Sequence, residues 1–348
     1  MGPAWMLGKG RASLQEVLPR LHKHQRNAVL DAVTAMIAAG HCQVTRMACA
    51  MRRAARVPSS ERRLQRLLAN SRLDVNRVMA SLAHAVLADA GDLILILDET
   101  AHANHLRAMK LCREMYGRAL PLLWYCYLPD APPLRMDQLI VDLLSRAQML
   151  LPEGKVPTLL ADRGLSWPVV VDFCMAAGWH FVFRIQHHTR LRFDDGRTLT
   201  AGQLVRRRGE YRSVTAEVFK KANWRRVNVV IHWGYRHKEP WLLITNLSAS
   251  APAICALYAK RMRVEHGFRD EKSHGLHWNQ SRVRDPKHAH CLLLLIALAL
   301  RTLALIGQQL IDLGHRVYFE RRDRRTLSVT QLALRYLHSP LIAFPLRV

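Results

Sequence analysis

The sequence has none of the cysteine patterns that staple a small protein together or bind a structural metal. Its seven cysteines include no Cys-x2-Cys pair, and they lie in apolar or helical contexts. These features argue against a zinc site and against a disulfide framework, and they are typical of reduced thiols in the cytosol. The cysteines are Cys42, Cys49, Cys112, Cys126, Cys174, Cys255 and Cys291.

Signals for secretion and membrane insertion are absent as well, and we find no repeats or low-complexity segments. The first residues, MGPAWMLGKGR, lack a long apolar core, and the sequence has no amphipathic arm or lipidation motif. The one membrane-like stretch, residues 291–311, is interrupted by Arg301 and is short for a membrane span. It predicts a buried helix that packs behind a sheet, and we expect no membrane partner.

Acidic residues are scarce relative to basic ones. The sequence has 52 lysines and arginines against 27 aspartates and glutamates, a net charge of +25, and its isoelectric point is near 10.7. Such a surplus is typical of a nucleic-acid partner, and we expect a cytoplasmic protein associated with the bacterial nucleoid. The cations form clusters at residues 52–53, 62–63, 206–208, 220–221, 225–226 and 321–325.

Two aspartates follow short apolar runs. Asp98 ends the run LILILD, and Asp162 follows VPTLLA. Each run indicates a buried strand, and the end of a strand in an open α/β sheet is where ligand chemistry tends to lie. Taken singly, either aspartate is more often a residue that caps a turn or the next helix. The adjacent Glu99 is expected on the opposite face of its strand, because side chains alternate along a strand.

A row of polar side chains lies in the segment LYAKRMRVEHGFRDEKSH, residues 257–274. At about 100° per residue, one helix would project the row within an arc of roughly 60°, beside an apolar stripe that presses the helix onto a core. The alternative is an ordinary surface helix with Arg/Glu pairs. The polar row is Tyr258, Arg261, Glu265 and Lys272, and the apolar stripe is Leu257, Val264 and Phe268.

Asp98, Asp162 and Glu265 together form an oxygen-rich set that suits one or two Mg²⁺ ions. Two such ions, about 3.5 to 4 Å apart, activate a water or a 3′-hydroxyl on one side of a phosphodiester and stabilise the leaving oxygen on the other. The cations of the polar row would bind the anionic substrate, such as a DNA phosphate. These residues therefore predict phosphodiester chemistry that needs no nucleophilic side chain.

The order Asp98, Asp162, Glu265, together with the pattern Tyr-x2-Arg-x3-Glu-x6-Lys, resembles the DDE transposases of the insertion sequence 4 family. The pattern fits without a gap. The sequence ADRGL around Asp162, the strand HFVFRIQ that ends near an arginine, and the strand WLLITNL before the glutamate helix are similar to the same family. The resemblance covers about residues 93–300.

The resemblance implies a role for each residue of this signature. The three acids would be the catalytic residues and the metal ligands, binding two Mg²⁺ ions that Mn²⁺ can replace. The other members would contact the phosphates of the transposon ends. The acids are Asp98, Asp162 and Glu265, and the phosphate-contacting residues are Tyr258, Arg261 and Lys272.

A tryptophan is also assigned through the resemblance. Trp241, on the strand WLLITNL, would stack on a base flipped from the duplex near the cut. Its distance from the glutamate is not fixed by the motif, and Trp233 lies close by. A buried core tryptophan is the alternative for either residue.

The expected fold class is α/β, with a small all-α domain before the catalytic core. The resemblance implies an RNase H-like core interrupted by a mostly β insertion, and the long interval between Asp162 and Glu265 leaves room for that insertion. The predicted divisions are a helical DNA-end-binding domain at 1–90, the first part of the core at 91–185, the β-rich insertion at 186–250, the second part of the core at 251–316 and a C-terminal tail at 317–348.

The helical module contains a candidate for DNA recognition. Ser59 or Ser60 is a plausible cap for the basic helix ERRLQRLL, residues 61–68, which we interpret as the element that enters a groove of the duplex. A solvated basic face is the alternative interpretation. No clean helix-turn-helix pattern accompanies it.

The sequence thus predicts a transposase that moves DNA by metal-dependent cut and paste. Its partners would be double-stranded DNA, at the terminal inverted repeats and at the target, and a second protomer, because synapsis of two ends normally needs a homodimer. The freed 3′-hydroxyl would attack the opposite strand, which gives a hairpin, or target DNA, which gives insertion. The alternatives are an RNase H-like nuclease without strand transfer, a non-catalytic DNA-binding derivative and a structural protein with surface charge networks.

Overall fold

The computed structural model describes residues 3–18, 21–51, 55–88, 91–102 and 105–339. The predicted basic cluster at residues 52–53 and residues 340–348 of the predicted tail lie outside these ranges. Within them, helices surround a mixed sheet of ten strands.

Among the residues that the structure describes, five α-helices precede the first strand. Helix α2 buries Val29, Val33 and Met36, which recur at the spacing of one helical face. It ends at Gly40, whose φ of 57° lies in the left-handed region that glycine adopts easily. The five helices are α1 at Pro3–Val17, α2 at Lys23–Ala39, α3 at Val44–Ala50, α4 at Val57–Leu68 and α5 at Val75–Leu87.

Helix α4 begins earlier than the sequence predicted. A cap at Ser59 or Ser60 is wrong, because the helix starts at Val57 with Pro58 in its first turn. Proline suits that place, since its φ is already helical and the N–H it lacks would have no helical partner. Ser60 is instead buried. The exposed arginines of this helix are Arg62 and Arg66.

Three strands then form the predicted antiparallel meander. Strand β1 spans Ile94–His102, β2 spans Leu106–Met115 and β3 spans Arg118–Tyr127. Both faces of β1 are covered: Leu95 belongs to the large apolar cluster under the N-terminal helices, and Ile96 belongs to a smaller cluster on the other face. A strand buried on both faces is expected to have a continuous apolar run, as LILIL does.

The predicted crossover follows this meander. Helix α6, Met136–Gln148, leads to strand β4, Thr158–Ala161, and helix α7, Pro168–Ala176, leads to strand β5, His180–Arg184. Strand β4 lies parallel to β1, and β5 lies parallel to β4. The first five strands therefore have the spatial order β3-β2-β1-β4-β5.

The segment predicted as β-rich extends this same sheet. Strand β10 pairs antiparallel with β5 and is followed outward by β9, β8, β6 and β7. The 186–250 segment therefore adds strands to the sheet edge at β5. Its strands are β6 at Arg190–Arg192, β7 at Thr198–Thr200, β8 at Tyr211–Val218, β9 at Arg225–His232 and β10 at Trp241–Thr245.

Four further helices complete the described chain. Helix α10 is long and apolar enough to cross a membrane, yet 83% of its most apolar stretch is buried inside the protein. The predicted packing helix is thus confirmed. The helices are α8 at Ala251–Ala259, α9 at Met262–Lys272, α10 at Pro286–Asp312 and α11 at Val329–His338.

The N-terminal helices share their core with the rest of the chain. Helices α1, α2, α4 and α5 all contact α10, and α5 also contacts β3. Val33, Leu82, Leu123 and Leu298 belong to one continuous apolar cluster. The boundary at residue 90 and the other proposed divisions stay predictions, and any separate role of the N-terminal helices would have to operate from within this shared core.

A buried ion pair fixes α9 to the sheet. Lys110 on β2 donates to the carboxylate of Glu271 on α9, and the two residues are 0% and 1% exposed. The ammonium also lies 5.2 Å from the ring centroid of Phe268 and 4.8 Å from that of Trp278. Because burial removes both charges from water, each depends on the other for compensation.

Replacing Lys110 by methionine should destabilise the protein by about 3–5 kcal/mol, because Glu271 would be left as an uncompensated buried charge. The double variant Lys110→Met with Glu271→Leu removes both charges and should recover most of that loss. Urea unfolding followed by circular dichroism measures both effects. Equal stabilities for the single and double variants would show that the two charges do not compensate each other.

Candidate active site

Asp98 and Asp162 lie side by side on neighbouring parallel strands. The last paired residues of β1 and β4 are Leu97 and Ala161, and each aspartate is the next residue of its chain segment. Asp162 follows its strand as predicted. Asp98 does not end its strand, because β1 continues to His102 by pairing with β2. It marks instead the point where β1 loses β4 as a neighbour.

The segment predicted as one helix is two helices. Between α8 and α9, the Arg261 N–H donates to the Tyr258 carbonyl at 2.9 Å, and the Val264 N–H donates to the Arg261 carbonyl at 3.0 Å. These bonds span three residues instead of four, so a tight turn interrupts the helix. The single polar stripe is therefore wrong: Tyr258 is on α8, whereas Glu265 and Lys272 are on α9.

Arg261 bridges two of the three acids from that turn. Its Nη1 lies 2.9 Å from Asp98 Oδ2, and its Nη2 lies 3.6 Å from Glu265 Oε1. The side chain of Arg261 is only 10% exposed. Burial opposes its charge, but Tyr258 and the surrounding carboxylates outweigh burial and raise the pKa of Arg261. The turn thus places the charged guanidinium of Arg261 between strand β1 and helix α9.

Tyr258 connects the third acid to this group. Its hydroxyl donates to Asp162 Oδ1 at 3.5 Å, and the residue is 4% exposed. Burial raises the pKa of Tyr258, so the hydroxyl stays protonated and serves as a donor. The structure therefore brings five of the seven predicted site residues together, because Tyr258 and Arg261 link Asp98, Asp162 and Glu265.

Lys272 is at the other end of α9, and among the described residues it makes no ion pair with the three acids. Its Nζ is 5.8 Å from the ring centroid of Phe268, beside the ammonium of Lys110. Burial, followed by the charge of Lys110, lowers the pKa of Lys272. The break before α9 leaves Lys272 on the same helix as Glu265, two turns further on. Its predicted contact with DNA phosphate stays a prediction.

Trp241 lies beside the group through Tyr258. The two rings meet edge to face at 5.1 Å, and His237 stacks on the indole at 4.4 Å. Trp233, the alternative for base stacking, donates its Nε1–H to the His237 carbonyl and has Arg208 over its ring at 4.7 Å. Both indoles are thus already in contact with other side chains, and base stacking by either remains a prediction.

Glu239 is a neighbour of the site that the sequence did not reveal. Its Oε2 accepts from Arg163 at 3.0 Å and from Arg184 at 2.8 Å. Arg163 follows Asp162 in the sequence ADRGL, and Arg184 ends β5. Both arginines belong to segments that resemble the transposase family. The partner carboxylate comes from the loop before β10 and reaches them only because β10 pairs with β5. No spacing in the sequence signals that pairing.

The three acids repel each other. Burial raises the pKa of Asp98 to about 6, against the opposing charge of Arg261 and the hydrogen bond from the Glu99 N–H, and the charges of Glu265 and Asp162 raise it further. An ionised Asp98 is therefore a cost to the folded chain above pH 6, because the unfolded carboxyl ionises near its ordinary value of 3.8.

Replacing Asp98 by asparagine should raise the melting temperature measured in EDTA at pH 8, because the neutral side chain still accepts a hydrogen bond from Arg261 but carries no buried charge. The sign follows from the raised pKa: the folded state binds the proton more tightly, so the native chain loses this stability as pH rises from about 4 to about 6. The gain should shrink at pH 5.

The exposed carboxylate of Asp130 provides the matched control for that measurement. Asp130→Asn should leave the melting temperature nearly unchanged at both pH values. A lower melting temperature for Asp98→Asn at pH 8 would mean that the ion pair with Arg261 outweighs the burial of the charge.

The carboxylates suit a divalent cation by their chemistry but are not arranged around one. In the part of the chain that the structure describes, no group of three His, Cys, Asp or Glu side chains is placed to hold a metal ion. Arg261 explains this, because it bridges Asp98 and Glu265. Oxygen donors with mutual repulsion are what Mg²⁺ and Mn²⁺ favour, so the set fits such an ion once the guanidinium moves aside.

A comparison with protein families identifies a similar domain in part of the chain. Residues 136–301, slightly less than half of the chain, match the family model of the transposase DDE domain. The match contains Asp162, Trp241 and Glu265 and begins after Asp98. No curated protein matches the chain.

The match supports a DDE transposase. The large, mostly antiparallel sheet with its helices fits a DDE nuclease domain. The transposase family implies DNA as the partner, and DDE transposases generally use divalent metal ions.

Proposed function

We propose that this protein is a cut-and-paste transposase of the insertion sequence 4 family. The observation that carries the proposal is the convergence of Asp98, Asp162 and Glu265, from two neighbouring strands and one helix, on the Tyr258–Arg261 turn. Two of the acids and the turn lie within the matched transposase domain. The strand order β3-β2-β1-β4-β5, with β1–β3 antiparallel and β4 and β5 parallel to β1, supports an RNase H-like core.

Asp98, Asp162 and Glu265 would hold the metal. Mg²⁺, as two ions, or Mn²⁺ in its place would supply activation of the attacking oxygen and stabilisation of the leaving oxygen. The residues themselves set the geometry: β1 and β4 fix the two aspartates, and α9 carries the glutamate against the sheet. The protein contributes no nucleophilic side chain to the reaction.

Arg261 and Tyr258 have two tasks in this proposal. Without DNA, the guanidinium of Arg261 compensates the charges of Asp98 and Glu265, and the Tyr258 hydroxyl orients Asp162. When DNA binds, a phosphate offers Arg261 a second anionic partner, and guanidinium groups bind phosphate oxygens well. Lys272 would contact the same strand further along α9. Trp241 would stack on a flipped base after His237 moves away.

The remaining parts of the proposal concern the reaction sequence and the assembly. The protein would nick at the terminal inverted repeats and transfer the freed 3′ ends to target DNA, with a hairpin as one route of excision. Two protomers would hold the two ends. The work would take place at the nucleoid of a bacterial cytoplasm, where the basic surface favours DNA.

Cleavage and joining on the DNA that flanks the gene test this function. The labelled duplex is incubated with the native chain in Mg²⁺ or EDTA, and the products are separated on a denaturing gel. The alanine variants of the three acids should lose about a thousandfold or more in rate while still binding the duplex, because they lose metal and not the basic surface. The variants are Asp98→Ala, Asp162→Ala and Glu265→Ala.

Glu99→Gln is the matched control. Glu99 adjoins Asp98 in sequence, but it accepts a hydrogen bond from Tyr127 and not from Arg261. Its substitution should leave cleavage and joining intact. Ordinary cleavage by Asp98→Ala would contradict the site. Cutting that ignores the ends and never joins them would identify a nuclease, and end binding without any cutting would identify a DNA-binding derivative.

A further inference from the structure

A second basic site lies on α9, outside the carboxylate group. It is a cavity of about 470 Å³ between the β2–β3 turn, the first half of α9, the C-terminal half of α10 and the segment 325–329 that begins α11. None of the three acids of the candidate active site lines it. Arg263 and His266 reach it from α9, and Arg263 is two residues before Glu265, which places the two on different sides of the helix.

The floor of the cavity is a fixed arginine. The Nε of Arg118 lies 3.0 Å from Asp270 Oδ2, and its Nη1 lies 3.0 Å from the Gly117 carbonyl and 3.2 Å from His266 Nδ1. Asp270 is almost fully buried, so it compensates Arg118 from behind. Arg118 is therefore held in one orientation.

Two further arginines line the cavity without a carboxylate partner. Among the described residues, the side chains of Arg263 and Arg325 make no ion pair and no hydrogen bond. Arg263 is half-buried above Gly117, and Arg325 is exposed. Glu114 is the carboxylate among the lining residues. The cavity thus carries more positive charge than its own side chains balance.

The backbone on the side of the cavity that carries Arg325 is held in place by the buried carboxylate of Glu320. Glu320 Oε2 accepts from the Thr326 N–H at 2.5 Å and from the Leu327 N–H at 2.8 Å, and its Oε1 accepts from Arg316 at 3.1 Å. The Glu320 side chain is 3% exposed. This anchoring fixes the backbone next to Arg325, so less ordering is needed when an anion binds.

We propose that this cavity binds a backbone phosphate of the DNA substrate through Arg263 and Arg325, with Arg118 behind them. A single arginine guanidinium can bind two phosphate oxygens at once, which suits a phosphodiester better than the point charge of a lysine ammonium. The site rests on the proposed function, since it assumes DNA as the substrate. Arg263 and Glu265 are about 3 Å apart along the axis of α9, so one duplex can reach both sides of the helix.

Salt dependence of DNA binding measures this contact. Anisotropy of a labelled duplex in EDTA is followed over a range of KCl concentrations for the native chain and for Arg263→Gln with Arg325→Gln. The slope of log K against log salt should fall by about 0.9, the effect of one phosphate contact, with weaker binding at every salt concentration. The pair Arg322→Gln with Arg324→Gln is the matched control, since it removes two positive charges from the exposed segment that carries Arg325 but outside the cavity.

An unchanged slope for the cavity variant, or the same loss in the control, would overturn the proposal. Inorganic phosphate separates a free anion from DNA: it should raise the melting temperature of the native chain above that in chloride of equal ionic strength, and the cavity variant should lose this rise. Loss of the rise with an unchanged DNA slope would mean that the cavity takes free phosphate and would overturn the DNA contact.

Different results would contradict the DNA contact in the cavity and the proposed transposase function. If the native protein cleaves at transposon ends and the cavity variant keeps the native salt slope, the proposed function is supported and the DNA contact in the cavity is wrong. If the native protein binds no duplex but is stabilised by phosphate through these arginines, both the proposed function and the DNA contact are wrong, and the cavity is an anion site.

Discussion

The parallel pairing of β1 with β4 is the constraint on which the site depends. Its register ends at Leu97 and Ala161, so the next residue of each segment is an aspartate at the same level of the sheet. A shift of one residue would turn one of the two carboxylates to the opposite face. The apolar runs before both aspartates pack into apolar clusters on both faces of the sheet at this point.

Charge compensation explains how three carboxylates coexist beside the buried side chain of Arg261. Arg261 engages Asp98 and Glu265, and its position comes from the turn that interrupts the helix. The same side chain bridges Asp98 and Glu265, and in the part of the chain that the structure describes these acids are not arranged around a metal ion. In the proposed function, a DNA phosphate near Arg261 would offer the guanidinium a new partner and would free the two carboxylates for a metal ion.

The basic residues differ in whether a carboxylate balances their charge. In the strand-rich segment, two neighbouring arginines of a basic cluster are paired with carboxylates: Arg225 contacts Asp172, and Arg226 contacts Asp194. Such pairs position strands and loops and leave less charge for a nucleic acid. Arg263 and Arg325 lack carboxylate partners among the described residues, and they lie on or near the helix that carries Glu265. The cation clusters of the sequence therefore include paired residues such as Arg225 and Arg226, and they omit Arg263, which makes no ion pair among the described residues.

The sequence by itself determined the strands around Asp98 and Asp162, the crossover and the buried helix α10, because apolar periodicity and residue spacing are local properties. Only the tertiary structure decided the break between Tyr258 and Glu265, the pairing of β10 with β5 that brings Glu239 to Arg184, and the burial of Lys110 against Glu271. Those features depend on contacts between distant segments, whose energies leave no regular spacing in the chain.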